Sequence, residues 1–138
     1  EQPIAELISM SDPILYVIEC MPNMYPAKNV TLKTIPLVDK IRENNSQAPI
    51  VFVELFISST SLLDKNKQNE NKAMNTALKI EYDKMINNGY NNIYYVESDN
   101  ALGLDQEGTV DSVHFTDLGF IRYADFLLEK FEEFNIIE

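Results

Sequence analysis

The 138-residue sequence contains one cysteine, one histidine, four glycines and no tryptophan. A single cysteine excludes an intrachain disulfide framework and a zinc site built on cysteine pairs. The chain has 11 basic residues against 22 acidic ones, and this balance lacks the clustered Lys and Arg that nucleic acids and anionic membranes require. No apolar run approaches the roughly 20 residues of a membrane-spanning helix. We therefore predict no nucleic-acid partner and no membrane segment.

Other signatures are missing as well. The sequence has no glycine-rich phosphate loop and no metal-ligand motif, so it predicts neither a cofactor nor a metal site. A basic segment, an apolar run and a small-residue cleavage site do not occur together at the start, so no signal peptide is predicted and the compartment is left open. The lone Cys20 lies in an apolar run and is interpreted as a buried structural thiol. The length suits a single domain.

Three short apolar runs are typical of strands that are buried on both faces of a parallel sheet. They predict strands near residues 14–20, 50–55 and 93–97. Helical spacing of apolar residues predicts helices between and around them, at residues 3–10, 30–43, 71–87 and 116–134. Strands that alternate with helices predict an α/β fold, a flavodoxin-like α/β/α arrangement with a parallel sheet and helices on both of its faces.

Some boundaries within this pattern rest on single residues. Asn29 or Thr31 is a candidate cap for the second helix, and Pro36 predicts either a kink or a later start. Gly89 is a typical stop for the third helix, and Thr116 a cap for the last one. The polar stretch from residue 58 to residue 71 predicts a surface loop.

The only histidine, His114, follows Asp111 by three residues, on a segment that leads into the last predicted helix. An imidazole is the usual general base for a hydroxyl nucleophile, and a carboxylate at its other nitrogen fixes its tautomer. The same residues also suit a capping or packing role before a helix. From spacing alone, both interpretations stay open.

Asn23 follows the first predicted strand, on a loop bracketed by two prolines. In open parallel sheets, sites gather at the carboxyl ends of the strands, and a side-chain amide there can donate a hydrogen bond to a developing oxyanion. A turn-forming asparagine is the structural alternative. Asn23, the segment after the second strand and the Asp111–His114 segment are all predicted at this edge.

The Asp-Ser-Val-His run at Asp111–His114, followed by Thr-Asp-Leu-Gly-Phe at Thr116–Phe120, resembles the last conserved block of the SGNH hydrolases, the GDSL-like esterases and lipases. The resemblance implies a serine esterase or acylhydrolase with a small-molecule ester substrate and no cofactor. It implies Asp111 as the orienting acid, His114 as the base and Asn23 as an oxyanion-hole donor. Phe115 departs from the proline often found after that histidine.

The serine block and the glycine block of that family have no counterpart in the chain. The resemblance therefore implies that residues 1–138 are the C-terminal part of an SGNH domain and that the nucleophile lies upstream. The missing half, or a partner chain, is then expected on an open side of the sheet. Two alternatives stay open, a degenerate domain without activity and a flavodoxin-like or receiver-like binding domain.

Overall fold

The computed structural model describes residues 2–57, 59–98 and 100–137. Its sheet contains strands β1 (Tyr16–Ile18), β2 (Ile50–Val53) and β3 (Ile93–Val96), in the order β1-β2-β3. Both neighbouring pairs are parallel. The predicted parallel α/β fold is therefore confirmed, although each strand is shorter than its apolar run because residues at the ends leave the ladder.

The helices precede, separate and follow these strands. They are α1 (Gln2–Ser9), α2 (Ala27–Asn44), α3 (Ser59–Leu63), α4 (Lys65–Asn87) and α5 (Asp117–Glu133), and a 3-10 turn covers Met21–Met24. The predicted caps of α2 were wrong, since α2 begins directly after Pro26 without a side-chain cap. Pro36 lies inside α2, so the later start that it predicted was wrong. The adjoining Ile35 and Leu37 pack against the core.

The predicted loop at residues 58–71 was wrong. Apart from Ser58, which lies outside the described residues, the segment consists mainly of α3 and the first turns of α4. Asp64 caps α4, and its carboxylate accepts hydrogen bonds from the N–H groups of Asn66 (2.8 Å) and Lys67 (3.4 Å). The first turns of α4 are exposed, so they carry no apolar period to detect.

The core lies on both faces of the sheet, as alternation along β2 requires. Ile50 and Phe52 belong to one buried cluster and Val51 and Val53 to another. The first cluster contains residues of α2 and α4, namely Val30, Val38, Ile41, Met74, Leu78 and Met85. The second contains Tyr123 of α5, with Phe126, Leu127 and Phe131 packed against it.

The prediction that Cys20 is a buried thiol was wrong, because the residue is only half-buried. It follows β1 at the end of an apolar run that passes from the sheet toward the surface. Burial still raises the pKa of its thiol, with a smaller contribution from the neighbouring Glu19 carboxylate. The thiol is therefore disfavoured as a nucleophile.

Strand β1 forms an open edge of the sheet, because within the described chain it pairs with β2 alone. A groove of about 930 Å³ runs along this edge between α1, β1 and α2. Its walls include the exposed apolar side chains of Ile4, Val17 and Leu32. The sequence predicted an open side here, and what covers it stays a prediction.

Candidate active site

The segment between Gly108 and Thr116 forms a closed loop ahead of α5. The N–H of Thr116 donates to the Gly108 carbonyl at 3.1 Å, and the N–H of Val110 donates to the His114 carbonyl at 2.9 Å. At the base of the loop, a Cβ on Gly119 would lie 1.9 Å from the Gly108 oxygen. The first turn of α5 therefore touches the loop backbone directly, and only glycine allows this approach.

The loop brings Asp111 and His114 together. The Asp111 Oδ2 atom lies 2.7 Å from His114 Nδ1, and its Oδ1 accepts the backbone N–H groups of Val113 (3.0 Å) and His114 (2.8 Å). Ser112, between them, has a φ of +73°, which turns the backbone so that both N–H groups face the carboxylate.

These contacts stabilise the ionised carboxylate. The His114 N–H, the imidazole and the Val113 N–H together lower the pKa of Asp111 to about 2. Asp111 is therefore ionised at neutral pH, although its side chain is 53% exposed. An ionised partner favours the tautomer in which Nδ1 carries the proton.

The arrangement leaves the second ring nitrogen of His114 available. Its Nε2 atom makes no hydrogen bond to any of the described residues, and the side chain is 77% exposed. With Nδ1–H donated to Asp111, Nε2 carries a lone pair that can take a proton from a hydroxyl group. In this geometry an imidazole can act as a general base while the carboxylate orients its ring.

Phe115 anchors the loop to the core, a role that the sequence analysis missed. Its ring centroid lies 5.2 Å from that of Phe56, 5.3 Å from Phe120 and 5.0 Å from Tyr123. An apolar residue between the histidine and the helix cap was the available signal. A proline at this position would provide no comparable aromatic contact.

A second missed contact joins the loop to α3. The N–H of Thr60 donates to Ser112 Oγ at 3.2 Å, and the two hydroxyl oxygens are 2.5 Å apart. No local sequence signal predicts this contact, because the two residues are 52 apart in sequence. Helix α3 thus contacts Ser112, the residue that shapes the Asp111–His114 turn.

Asn23 lies in the 3-10 turn that follows β1, at the same edge of the sheet. Its N–H donates to the Cys20 carbonyl at 3.0 Å, and its exposed side chain lines the large groove. No hydrogen bond joins Asn23 to Asp111 or His114. A smaller cavity is lined by residues from both loops. Met21 and Pro22, which precede Asn23, lie on one side, and Ser112 and Val113, which precede His114, lie on the other.

The described residues contain neither a metal-binding cluster nor a membrane-spanning helix. No group of three or more His, Cys, Asp or Glu side chains there is arranged to hold a metal ion. None of the described helices is long and apolar enough to cross a bilayer.

Comparisons with known proteins identify relatives of the chain. The family model of GDSL-like lipases and acylhydrolases matches residues 1–132. A crystal structure of a candidate GDSL-like lipase from Bacteroides ovatus matches all of this chain, with 27% identity and a TM-score of 0.93. The salicylyl-acyltransferase SsfX3, from a tetracycline biosynthetic pathway, matches 99% of this chain, with 14% identity and a TM-score of 0.81, a likeness of fold.

The matches differ in length. The chain covers 41% of the Bacteroides ovatus protein and 42% of the acyltransferase. No curated protein matches the sequence. The chain thus spans about two-fifths of the two solved structures.

Proposed function

Because this chain belongs to the GDSL-like lipase/acylhydrolase family, we propose that it forms the C-terminal part of a serine esterase. The enzyme hydrolyses a small-molecule carboxylic ester through a Ser-His-Asp triad. His114 is the general base, Asp111 is its orienting acid, and Asn23 donates to the oxyanion. The serine lies upstream of Glu1.

The single observation that carries this proposal is the contact between Asp111 Oδ2 and His114 Nδ1 at 2.7 Å. A carboxylate that served only to cap the turn would be satisfied by the two backbone N–H groups it already accepts. The additional contact orients the imidazole, and the ring of an exposed histidine has no packing reason to be oriented. An oriented base with an accessible Nε2 is what activation of a serine requires.

The reaction follows from this arrangement. His114 Nε2 takes the proton of the serine hydroxyl as its oxygen attacks the ester carbonyl, and the Asn23 amide donates to the resulting oxyanion. The protonated imidazole then gives its proton to the leaving alcohol, which breaks the ester bond and leaves an acyl-enzyme. A water molecule, deprotonated by the same nitrogen, attacks the acyl-enzyme, releases the acid and restores the serine.

Three observations support an upstream serine. No serine in the sequence stands in a glycine-flanked strand-to-helix turn of the kind that presents a nucleophile. Ser98 is fully buried and donates to the Glu54 carbonyl at 2.8 Å. Ser112 Oγ accepts the Thr60 N–H at 3.2 Å, and Ser112 lies in the turn between Asp111 and His114.

The upstream half of the same domain is the proposed occupant of the open β1 edge. The groove there is apolar and lies between α1 and α2, where a further strand with its helix would continue an α/β sheet. Edge strands that stay open pair with other chains. A separate partner chain on this edge is the alternative outcome.

Hydrolysis of p-nitrophenyl acetate tests the proposal. We expect the full-length protein to be active, and the 138-residue chain alone to be silent, because a triad without its serine loses on the order of 10⁶-fold in turnover. In the full-length protein, His114→Ala and Asp111→Asn should each cost about 10⁴-fold or more. Asp117→Asn is the matched control, an exposed aspartate three residues from His114 in sequence, and should leave the rate unchanged.

Other outcomes would contradict the proposal in distinct ways. A folded, full-length protein without activity toward esters would indicate a degenerate domain. An active 138-residue chain would place the nucleophile within it, first among the serines after β2. Activity that survives His114→Ala would remove the base from its proposed role.

A further inference from the structure

A small cavity separates the loop that carries Asn23 from the loop that carries His114. Its volume is about 110 Å³. Three buried apolar side chains form its floor, because Met21, Phe56 and Met74 line it and are each at most 3% exposed. Ser112 and Val113 form the wall next to His114. The cavity is therefore lined by the residues that precede Asn23 and His114 in sequence, Pro22 and Val113, although the side chains of Asn23 and His114 do not line it.

The outer rim of the cavity is bridged. Tyr25, on the Asn23 side, donates to Glu70 Oε1 of α4 at 3.1 Å, and Lys67 Nζ lies 5.5 Å above the Tyr25 ring. Lys67 also pairs with Glu70 at 3.2 Å. These three side chains connect the loop after β1 to α4 and close the cavity on that side with charge. An alkyl chain that entered from the side of His114 would have to exchange apolar contacts for contacts with these polar and charged groups in order to pass the rim.

The volume limits what the cavity can hold. Since a heavy atom of liquid water occupies about 30 Å³, and an apolar cavity of about 150 Å³ holds a benzene molecule, this space suits a tail of about three or four heavy atoms. The apolar floor favours carbon over polar atoms in that tail.

The alcohol part and the acyl part of an ester have different binding requirements. The alcohol must leave and be replaced by water on the side of His114 Nε2, which is exposed. The acyl group stays bound from the first attack until deacylation. A cavity with an apolar floor, lined by the neighbours of His114 and Asn23 in sequence, suits the acyl part, which stays.

We propose that this cavity is the acyl-binding pocket and that it restricts the enzyme to esters of short acids, from acetyl to about butyryl. This inference rests on the proposed esterase function. Met74 at the floor sets the depth, and the Tyr25–Glu70–Lys67 rim prevents a longer chain from extending outward.

A series of p-nitrophenyl esters from acetate to octanoate, hydrolysed by the full-length protein, tests the pocket. We expect kcat/KM to fall by about tenfold or more between butyrate and hexanoate, as a pocket that lacks room for added methylenes imposes. Met74→Ala should raise the hexanoate-to-butyrate ratio by about tenfold. Met85→Ala is the matched control, since Met85 is a buried methionine of the same helix and core cluster that does not line the cavity. Its ratio should stay at the wild-type value.

Val113→Phe provides a variant that does not open the core, because Val113 is 46% exposed. It should fill the cavity from the wall and lower the butyrate-to-acetate ratio. Methyl NMR of the methionines gives a readout independent of catalysis. Sodium butyrate should shift the signals of Met21 and Met74 and leave that of Met85 in place, whereas sodium octanoate should not shift the first two.

The outcomes separate this inference from the esterase proposal. A His114-dependent esterase with no cut-off after butyrate, or with the same chain-length profile in Met74→Ala and Met85→Ala, would overturn the pocket and leave the esterase standing. Butyrate shifts at Met21 and Met74 in a protein without esterase activity would uphold the pocket and overturn the esterase. No shifts and no activity would overturn both.

Discussion

At the scale of single residues, Ser112 explains how an Asp-x-x-His spacing yields an oriented pair. Its φ of +73° turns the chain so that the N–H groups of Val113 and His114 both face the Asp111 carboxylate. The imidazole then reaches the second carboxylate oxygen without leaving the loop. The backbone N–H groups of Val113 and His114 therefore fix the Asp111 carboxylate, and the carboxylate orients the His114 imidazole.

The pKa of Asp111 tests this arrangement. A carboxyl whose folded pKa lies near 2, below its ordinary value of 3.8, stabilises the loop above pH 3.8 and loses that contribution as the pH falls through about 2. A carboxyl ¹³C NMR titration should give a midpoint near 2. In His114→Ala the midpoint should rise but stay below 3.8, because the N–H of residue 114 remains. A midpoint at the ordinary value in both proteins would contradict the geometry.

Phe115 should contribute stability through its aromatic contacts. We expect Phe115→Ala to lower the free energy of unfolding by roughly 2–3 kcal/mol, somewhat less than the loss for a fully buried phenylalanine. Phe120→Ala is the matched control, because Phe120 touches the same ring but is 63% exposed. Urea denaturation should show the smaller loss for Phe120→Ala. Equal losses would mean that Phe115 does not anchor the loop.

At the scale of elements, the sequence predicts helices and strands best where their burial produces a periodic pattern of apolar residues. Helix α5 was predicted because Thr116 caps it, with its hydroxyl accepting the Gly119 N–H at 3.0 Å, and because apolar residues recur along one face. Helix α3 and the start of α4 were missed, because their exposed residues produce no period. The Asp111–His114 contact was expected from the SGNH resemblance and not from spacing alone, whereas the Thr60–Ser112 contact joins residues 52 apart in sequence and required the fold.

The Asp64 cap accounts for the early start of α4. Asp64→Ala should lower the free energy of unfolding by about 1 kcal/mol, because two N–H groups lose their acceptor. Asp83→Ala is the control on the same helix, where an exposed pair with Lys79 at 2.5 Å should be worth only about 0.3–0.5 kcal/mol. Urea denaturation of both variants measures the difference. A larger loss in Asp83→Ala would contradict the capping role.

At the scale of the whole molecule, the open β1 edge is the main feature that the chain leaves unexplained. Besides the apolar groove, Glu19 Oε1 is buried there without a hydrogen-bond partner among the described residues, and burial raises the pKa of this carboxyl. A buried polar atom of this kind usually has a partner in the complete protein. The absent serine block predicted an open side of the sheet.

Paired substitutions test whether the upstream half covers the groove. Leu32 lines the groove and is 58% exposed, whereas Leu63 is 91% exposed and does not line it. In the full-length protein, Leu32→Glu should lower the urea midpoint because a charge is buried in the interface, and Leu63→Glu should not. In the 138-residue chain both should be nearly neutral. An unchanged urea midpoint for Leu32→Glu in the full-length protein would contradict the proposal that the upstream half covers the groove.

The central claim is that Asp111 and His114 activate a serine that lies upstream of this chain. Labelling of the full-length protein with a fluorophosphonate tests it most directly, because an activated serine oxygen displaces fluoride from phosphorus and keeps a mass tag. Peptide mass spectrometry should locate the tag on a serine before Glu1, with labelling lost in His114→Ala and retained in Asp117→Asn. A tag on a serine within residues 1–138, or labelling that does not depend on His114, would contradict the claim.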